Sequence, residues 1–181
     1  MQTVSDFFNS HRISELVERS VNIKSIFEKL MKKKFTIALI KVLALCIIVF
    51  AVSAYFVYDT KIIGWVVFGS GLLCLGALRL SKISVNHVWP DIMFGLIDNG
   101  ILAVMAVVGG EIAGVAGAII GGVVGNAITD GIAGIFEGEI AEKLRERKIS
   151  EERTMLGSAV GKMAGCLLGA GVVLIIANLL P

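Results

Sequence analysis

Residues 92–136 read "IMFGLIDNGILAVMAVVGGEIAGVAGAIIGGVVGNAITDGIAGIF" and hold no lysine or arginine. As a single helix these 45 residues would extend about 67 Å, roughly twice the thickness of a bilayer's hydrocarbon core. The segment must therefore fold back on itself. "VGGE" at 108–111 is the expected turn, with two glycines and the only charge near the midpoint. This reading gives one span over 92–108 and another over 112–136.

The flanking sequence extends the pattern. Residues 35–57, "FTIALIKVLALCIIVFAVSAYFV", and 62–80, "IIGWVVFGSGLLCLGALRL", are apolar and separated only by "YDTK", so they predict a tight helical hairpin. A polar connection, "SKISVNHVWPD", precedes the quoted stretch. In it, Pro90 suits a first helical turn and Trp89 a membrane interface. A last apolar run covers 156–180. The expected fold is an all-α integral membrane bundle of about five transmembrane helices, with a membrane domain over 35–181 and a charged cytoplasmic helix over 137–155. Composition agrees: 56% of the 181 residues are hydrophobic, mean hydropathy is +0.84 and only 18% are charged, against roughly 25% charged in soluble domains.

The basic residues orient the spans. Seven lie in the first 34 residues, two (Arg79, Lys82) between the second and third spans, and five (Lys143, Arg145, Arg147, Lys148, Arg153) in 137–155. Lys61 alone lies in the other set of loops, while Lys41 and Lys162 fall inside spans, close enough to one end to snorkel. The positive-inside rule then places the N-terminus in the cytoplasm and the C-terminus outside. Merging the two spans of 92–136 would put the basic 137–155 segment on the wrong side. No cleavable leader pattern precedes the first span, and a bacterial inner membrane is the expected location.

Residues 1–34 carry apolar side chains at Phe8, Ile13, Leu16, Val17, Val21, Ile26, Phe27 and Leu30 among basic ones. They predict an amphipathic helix, lying on the inner membrane surface or packed on cytoplasmic loops. Cys46, Cys74 and Cys166 occupy three separate apolar runs without metal or disulfide spacing, so they read as small packing residues. His11 and His87 are isolated and form no ligand constellation.

Small residues recur with a step of four. Gly157, Gly161, Gly165 and Gly169 form one row; Gly110, Gly114, Ala118, Gly122, Asn126, Asp130, Gly134 and Gly138 form another; Gly117, Gly121 and Gly125 run beside it. Lipid offers helices no hydrophobic drive to associate, so close backbone approach at small residues supplies the contact. The fourth and fifth spans are expected to pack closely, against each other or across an interface between copies.

Asp130 lies on one of these rows and is thus expected to face another helix. Asp98 and Asn99 sit about as far from the basic end of their span as Asp130 does from the basic end of its own. Two carboxylates and two amides, Asp98, Asn99, Asn126 and Asp130, suit a proton or an oxygen-loving cation. They suit equally a set of interhelical hydrogen bonds, and both readings stand. Beyond the membrane, Glu139, Glu142 and Glu146 share a helix face, either as a solvated end or as a stripe that collects cations.

"GLIDNG" at 95–100 and "GEIAEKLRE" at 138–146, joined by a Gly/Ala-rich helix, give 95–146 a resemblance to the vacuolar-iron-transporter-like family. That resemblance implies a membrane carboxylate at Asp98, a metal-collecting extension bearing Glu139, Glu142 and Glu146, and a divalent metal as cargo. No phosphate-binding loop, HExxH or GxSxG is present, so no enzyme is expected, and no cofactor beyond a transported ion. The basic residues follow the membrane boundary, which argues against nucleic acid. Two functions remain: a small homo-oligomeric cation transporter or channel, or a non-transporting scaffold or accessory subunit assembled through its glycine rows. In either case the partners are lipid, further copies, and for a subunit a membrane or cytoplasmic protein.

Overall fold

In the computed structural model the backbone is described for residues 2–147 and 154–179, and side chains for 26–59, 61–132, 134–135 and 154–179. The chain is helical, with no strand among the described residues. The helices are α1 (Gln2–Phe56), α2 (Thr60–Leu80), α3 (Trp89–Arg147) and α4 (Met155–Leu179), with a short 3-10 helix at Val85–His87. Ile26–Phe56, Lys61–Leu80, Trp89–Ile132 and Met155–Leu179 are each long and apolar enough to cross a bilayer. The protein is therefore an integral membrane protein by length and composition of its helices.

Contacts divide the chain into two units, Met1–Ile40 and Lys41–Pro181. The first is helical from Gln2 onward. No non-helical residue marks position 34–35, where the sequence separates a surface helix from a span. The apolar pattern that suggested an amphipathic helix falls mostly on side chains outside the described residues. Within the described part, Ile26, Phe27, Leu30 and Phe35 are all exposed.

The second unit holds the core. Leu45 of α1, Cys74 and Leu78 of α2, Val88 and Ile92 at the start of α3, and Val160 and Ala164 of α4 form one buried cluster. Cys74 is fully buried there, as a small packing residue should be, whereas Cys46 is exposed and its thiol donates to Met163 Sδ at 4.0 Å.

The α1–α2 link is short because Asp59 caps α2, its Oδ1 accepting from the Lys61 N–H at 3.2 Å. At the other end of α2 the chain reverses through a Schellman motif. The Ile83 N–H donates to Leu78 O and the Lys82 N–H to Arg79 O, both at 3.0 Å. Ile83 also packs onto the core cluster that contains Leu78, the apolar contact that accompanies this cap. Lys82 takes the left-handed position, φ 57°, where a side chain costs about 1 kcal/mol. Lys82→Gly should therefore raise the thermal unfolding midpoint in detergent, and Lys82→Val should lower it. A lower midpoint for the glycine variant would refute strain at this cap.

Helix α3 decides the architecture. Its dihedrals leave the helical region at Ala113 (φ −138°, ψ 25°) and Gly114 (φ 59°, ψ −141°), the latter a conformation open to glycine and strained for other residues. The two limbs, 89–112 and 115–147, lie against each other. Gly109 abuts the Gly117 carbonyl, Gly121 the Met105 carbonyl, and Gly125 the Leu102 backbone. All three pairs are centred on 113–114. The fold-back expected at 108–111 thus falls about one helical turn later. Gly109 is needed inside the helix, where the limbs touch backbone to backbone. Gly114 has nothing within 4 Å of its missing Cβ and supplies the positive φ that the reversal requires.

The remaining packing is set by glycines on α2 and α4. Along α4, Gly157 and Gly161 meet Val88, Gly165 meets the Ile92 carbonyl, and Gly169 meets Leu96 and Gly100. Helix α4 is therefore parallel to the first limb of α3. It is antiparallel to α2, with Gly64 against Ile175, Gly71 against Leu168 and Gly171 against Phe68. Of the two expected arrangements of the fourth and fifth spans, packing against each other within the chain is therefore replaced at this row by packing on the first limb. The α4 row is used within the chain against the first limb, on a face different from the one that meets the second limb. Gly110 and Gly122 make only ordinary contacts, their missing Cβ atoms 3.5 Å and 3.8 Å from alanine methyls.

Candidate functional site

Gly117, Gly121, Gly125 and Thr129 follow a step of four and so share one face of the second limb. The three glycines bring the limbs into backbone contact, and Thr129 then meets Asp98 of the first limb. Both side chains are buried, Asp98 at 6% and Thr129 at 5% exposure, inside the apolar part of the bundle. Thr129 Oγ1 donates to Asp98 Oδ1. It also lies 3.1 Å from both the Gly125 and the Asn126 carbonyl oxygens. A hydroxyl has one proton to give and can accept in return. The Asp98 carboxyl accepts it, and the Gly125 and Asn126 carbonyls are the alternative acceptors within the threonine's own helix.

Asp130 is the next residue but points elsewhere. It is exposed, and Asn126, one turn before it and half-buried, donates from Nδ2 to its Oδ2 at 2.8 Å. The expectation that Asp130 faces another helix is not met among the described residues. The row that packs is the neighbouring one, which ends in Thr129, and the Asn126–Asp130 row lies round the helix from it. Asp98 and Thr129 are level across the hairpin, which also brings Asp130 to about the depth of Asp98. The two carboxylates nonetheless have different partners. Asn99 is half-buried beside Asp98. Glu139, Glu142 and Glu146 belong to the end of α3, and their side chains lie outside the described residues, as does that of His11. His87 is exposed in the short 3-10 helix.

Among the described residues no group of three or more His, Cys, Asp or Glu is placed to hold a metal ion.

Two polar contacts escaped the sequence reading. Thr129 is one. Its signal was present, since it continues the Gly117, Gly121, Gly125 row by one more step. The other is Asp91, buried in the first turn of α3, which accepts from Ser158 Oγ at 2.8 Å. Asp91 stands at a helix N-terminus, where a carboxylate is stabilised, and its hydrogen bond ties the start of α3 to the start of α4. Nothing in the spacing of residues 91 and 158 announces that pairing.

No protein-family model, curated protein or solved structure matches the chain.

Proposed function

We propose that the protein is a homo-oligomeric cation transporter or channel in which Asp130 and Asn126 line the path and Asp98 with Thr129 fixes the hairpin that presents them. The observation that carries this reading is the exposure of Asp130 within a long apolar segment. A carboxylate left in hydrocarbon costs about 2.5–3.5 kcal/mol on insertion scales. Asn126 is a neutral partner and cannot neutralise it. Water in a path between copies, or a cation held there, removes the penalty. The limbs of α3 would count as two crossings, giving five in all, with the N-terminus cytoplasmic, the C-terminus outside and a bacterial inner membrane as the setting.

The likeness of 95–146 to the vacuolar-iron-transporter-like family makes Fe(II) and Mn(II) the first ions to try. On this reading Asp98 serves less as a ligand than as a brace, because Thr129 already occupies one of its oxygens. Flux into proteoliposomes should be measured for Fe(II), Mn(II), Na⁺ and H⁺. For one of these ions, Asp130→Asn should lower flux at least ~10-fold, equivalent to about 1.4 kcal/mol, while leaving the oligomer intact.

A second reading, a scaffold or accessory subunit, is favoured by the lack of an acidic cluster among the described residues and by how much of the chain's glycine serves helix packing. It predicts no flux of any ion from wild-type protein, and Asp130→Asn without effect on assembly or partner binding.

A further inference from the structure

Within the second unit, the part of α1 from Lys41 onward meets the core along a narrow seam at Val42, Leu45 and Val49, which leaves a groove on each side. The larger, about 660 Å³, lies between α1 (Cys46, Val49, Phe50) and α4 (Ala159, Lys162, Met163). The smaller, about 290 Å³, is bordered by α1, α2 and α4 and includes Lys41 and Ser81. The walls of both are almost wholly apolar side chains. Each contains one lysine, and these are the two lysines that fall inside apolar helices.

Lys162 is exposed, with Nζ 4.0 Å from the centre of the Phe94 ring. Among the described residues no carboxylate pairs with it. The ring attracts the ammonium but satisfies none of its three N–H donors. Side chains on a helix lean toward its N-terminus. Helices α1 and α4 are parallel where they meet, with Lys41 level with Leu156 and Cys46 with Met163. Both lysine stems therefore lead to the same end of the bundle, the end that carries the α2–α3 connection and the start of α4. The result is an apolar trough that ends in an uncompensated ammonium, held in place by an aromatic ring. The larger trough falls within the roughly 300–1,000 Å³ typical of ligand sites. An apolar tail joined to an anionic head is the complement to that shape and charge. A second copy could offer Lys162 only the exposed Asp130, which the proposed function already places in the path and which Asn126 holds at 2.8 Å, whereas a lipid brings the apolar tail and the counter-charge together.

We propose that the groove between α1 and α4 is a binding site for one anionic phospholipid of the bilayer, its acyl chain along Val49, Phe50 and Met163 and its phosphate on Lys162. Purified protein in detergent, mixed with equal amounts of dioleoylphosphatidylglycerol and dioleoylphosphatidylcholine, would be examined by native mass spectrometry. One added positive charge near an anionic headgroup is worth about fivefold in retention, close to 1 kcal/mol. Wild-type protein should retain phosphatidylglycerol over phosphatidylcholine by about that factor. Lys162→Gln should abolish the preference, and Lys61→Gln, in the first turn of α2 at the far end, should keep it. Because Lys162 is exposed, its glutamine variant is expected to fold. Alkylation of Cys46 gives a readout independent of the variants: phosphatidylglycerol should slow it and phosphatidylcholine should not. Equal retention of the two lipids by wild type, an undiminished preference in Lys162→Gln, or Cys46 labelling indifferent to phosphatidylglycerol would each overturn the proposal.

Discussion

Gly165→Leu and Gly121→Leu should each unfold the bundle, while Gly122→Leu, one residue along, should leave it folded. The difference lies in what the added atoms would meet. A side chain at Gly165 runs into the Ile92 carbonyl and the Leu96 amide, and one at Gly121 into the Met105 carbonyl. These are backbone atoms inside helices, so no rotamer change makes room. Overpacking that side chains can absorb costs about 1–3 kcal/mol. Here whole helices must separate, which opens the interface along its length, so more than about 3 kcal/mol is expected. Next to Gly122 the nearest atoms are the Ala106 methyl at 3.8 Å and Leu102 Cδ2 at 4.0 Å, an ordinary van der Waals separation. Alanine tests the point more finely. Gly122→Ala should be neutral or stabilising by about 0.5–1 kcal/mol, as for glycine replaced inside a helix, whereas Gly121→Ala and Gly165→Ala should both destabilise. The measurement is the denaturing-detergent fraction at half unfolding. Equal midpoints for Gly121→Ala and Gly122→Ala would show that the limbs are not held backbone to backbone.

The second large effect is asymmetric. Thr129→Val should destabilise by about 2–4 kcal/mol, because a buried carboxylate is left without its donor. Asp98→Ala should cost less, because Thr129 still has the Gly125 and Asn126 carbonyls within 3.1 Å. The double variant should resemble Asp98→Ala alone. The magnitudes separate this from a plain interhelical hydrogen bond, which averages about 0.6 kcal/mol in membrane bundles. A cycle in which both single variants cost that small amount, and add, would refute the dependence of Asp98 on Thr129. Asp98→Asn serves as the conservative control: it keeps the acceptor oxygen and should be the mildest of the set.

How far the residues alone could lead depended on whether the deciding interaction was local. The length of 92–136 and its lack of basic residues required a reversal. Its position slipped by a turn because glycines serve two purposes, and sequence does not say which. Gly109 and Gly110 read as a turn but are helical; Gly114 reads as one rung of a ladder but makes the bend. The α4 row at Gly157, Gly161, Gly165 and Gly169 was plain as a packing surface. Its partner was not, because Val88, Ile92 and Leu96 carry no mark distinguishing them from lipid-facing residues. Asp98 and Asp130 could be singled out by the cost of charge in an apolar run. Which of them is buried depends on a rotation of about 100° per residue, and that was resolved only once Thr129 was seen opposite Asp98.

The bend at Ala113–Gly114 also bears on how the chain enters a membrane. The bend sets the two limbs of α3 antiparallel, so either limb alone would leave Asp98 or Thr129 without its hydrogen-bond partner. With no lysine or arginine between Ile92 and Phe136, nothing within the pair favours either direction of travel. A hairpin that entered a bilayer as one closed unit would keep that bond made throughout, and the basic segments on either side would set its direction. The heading of α4 would then follow from that single event.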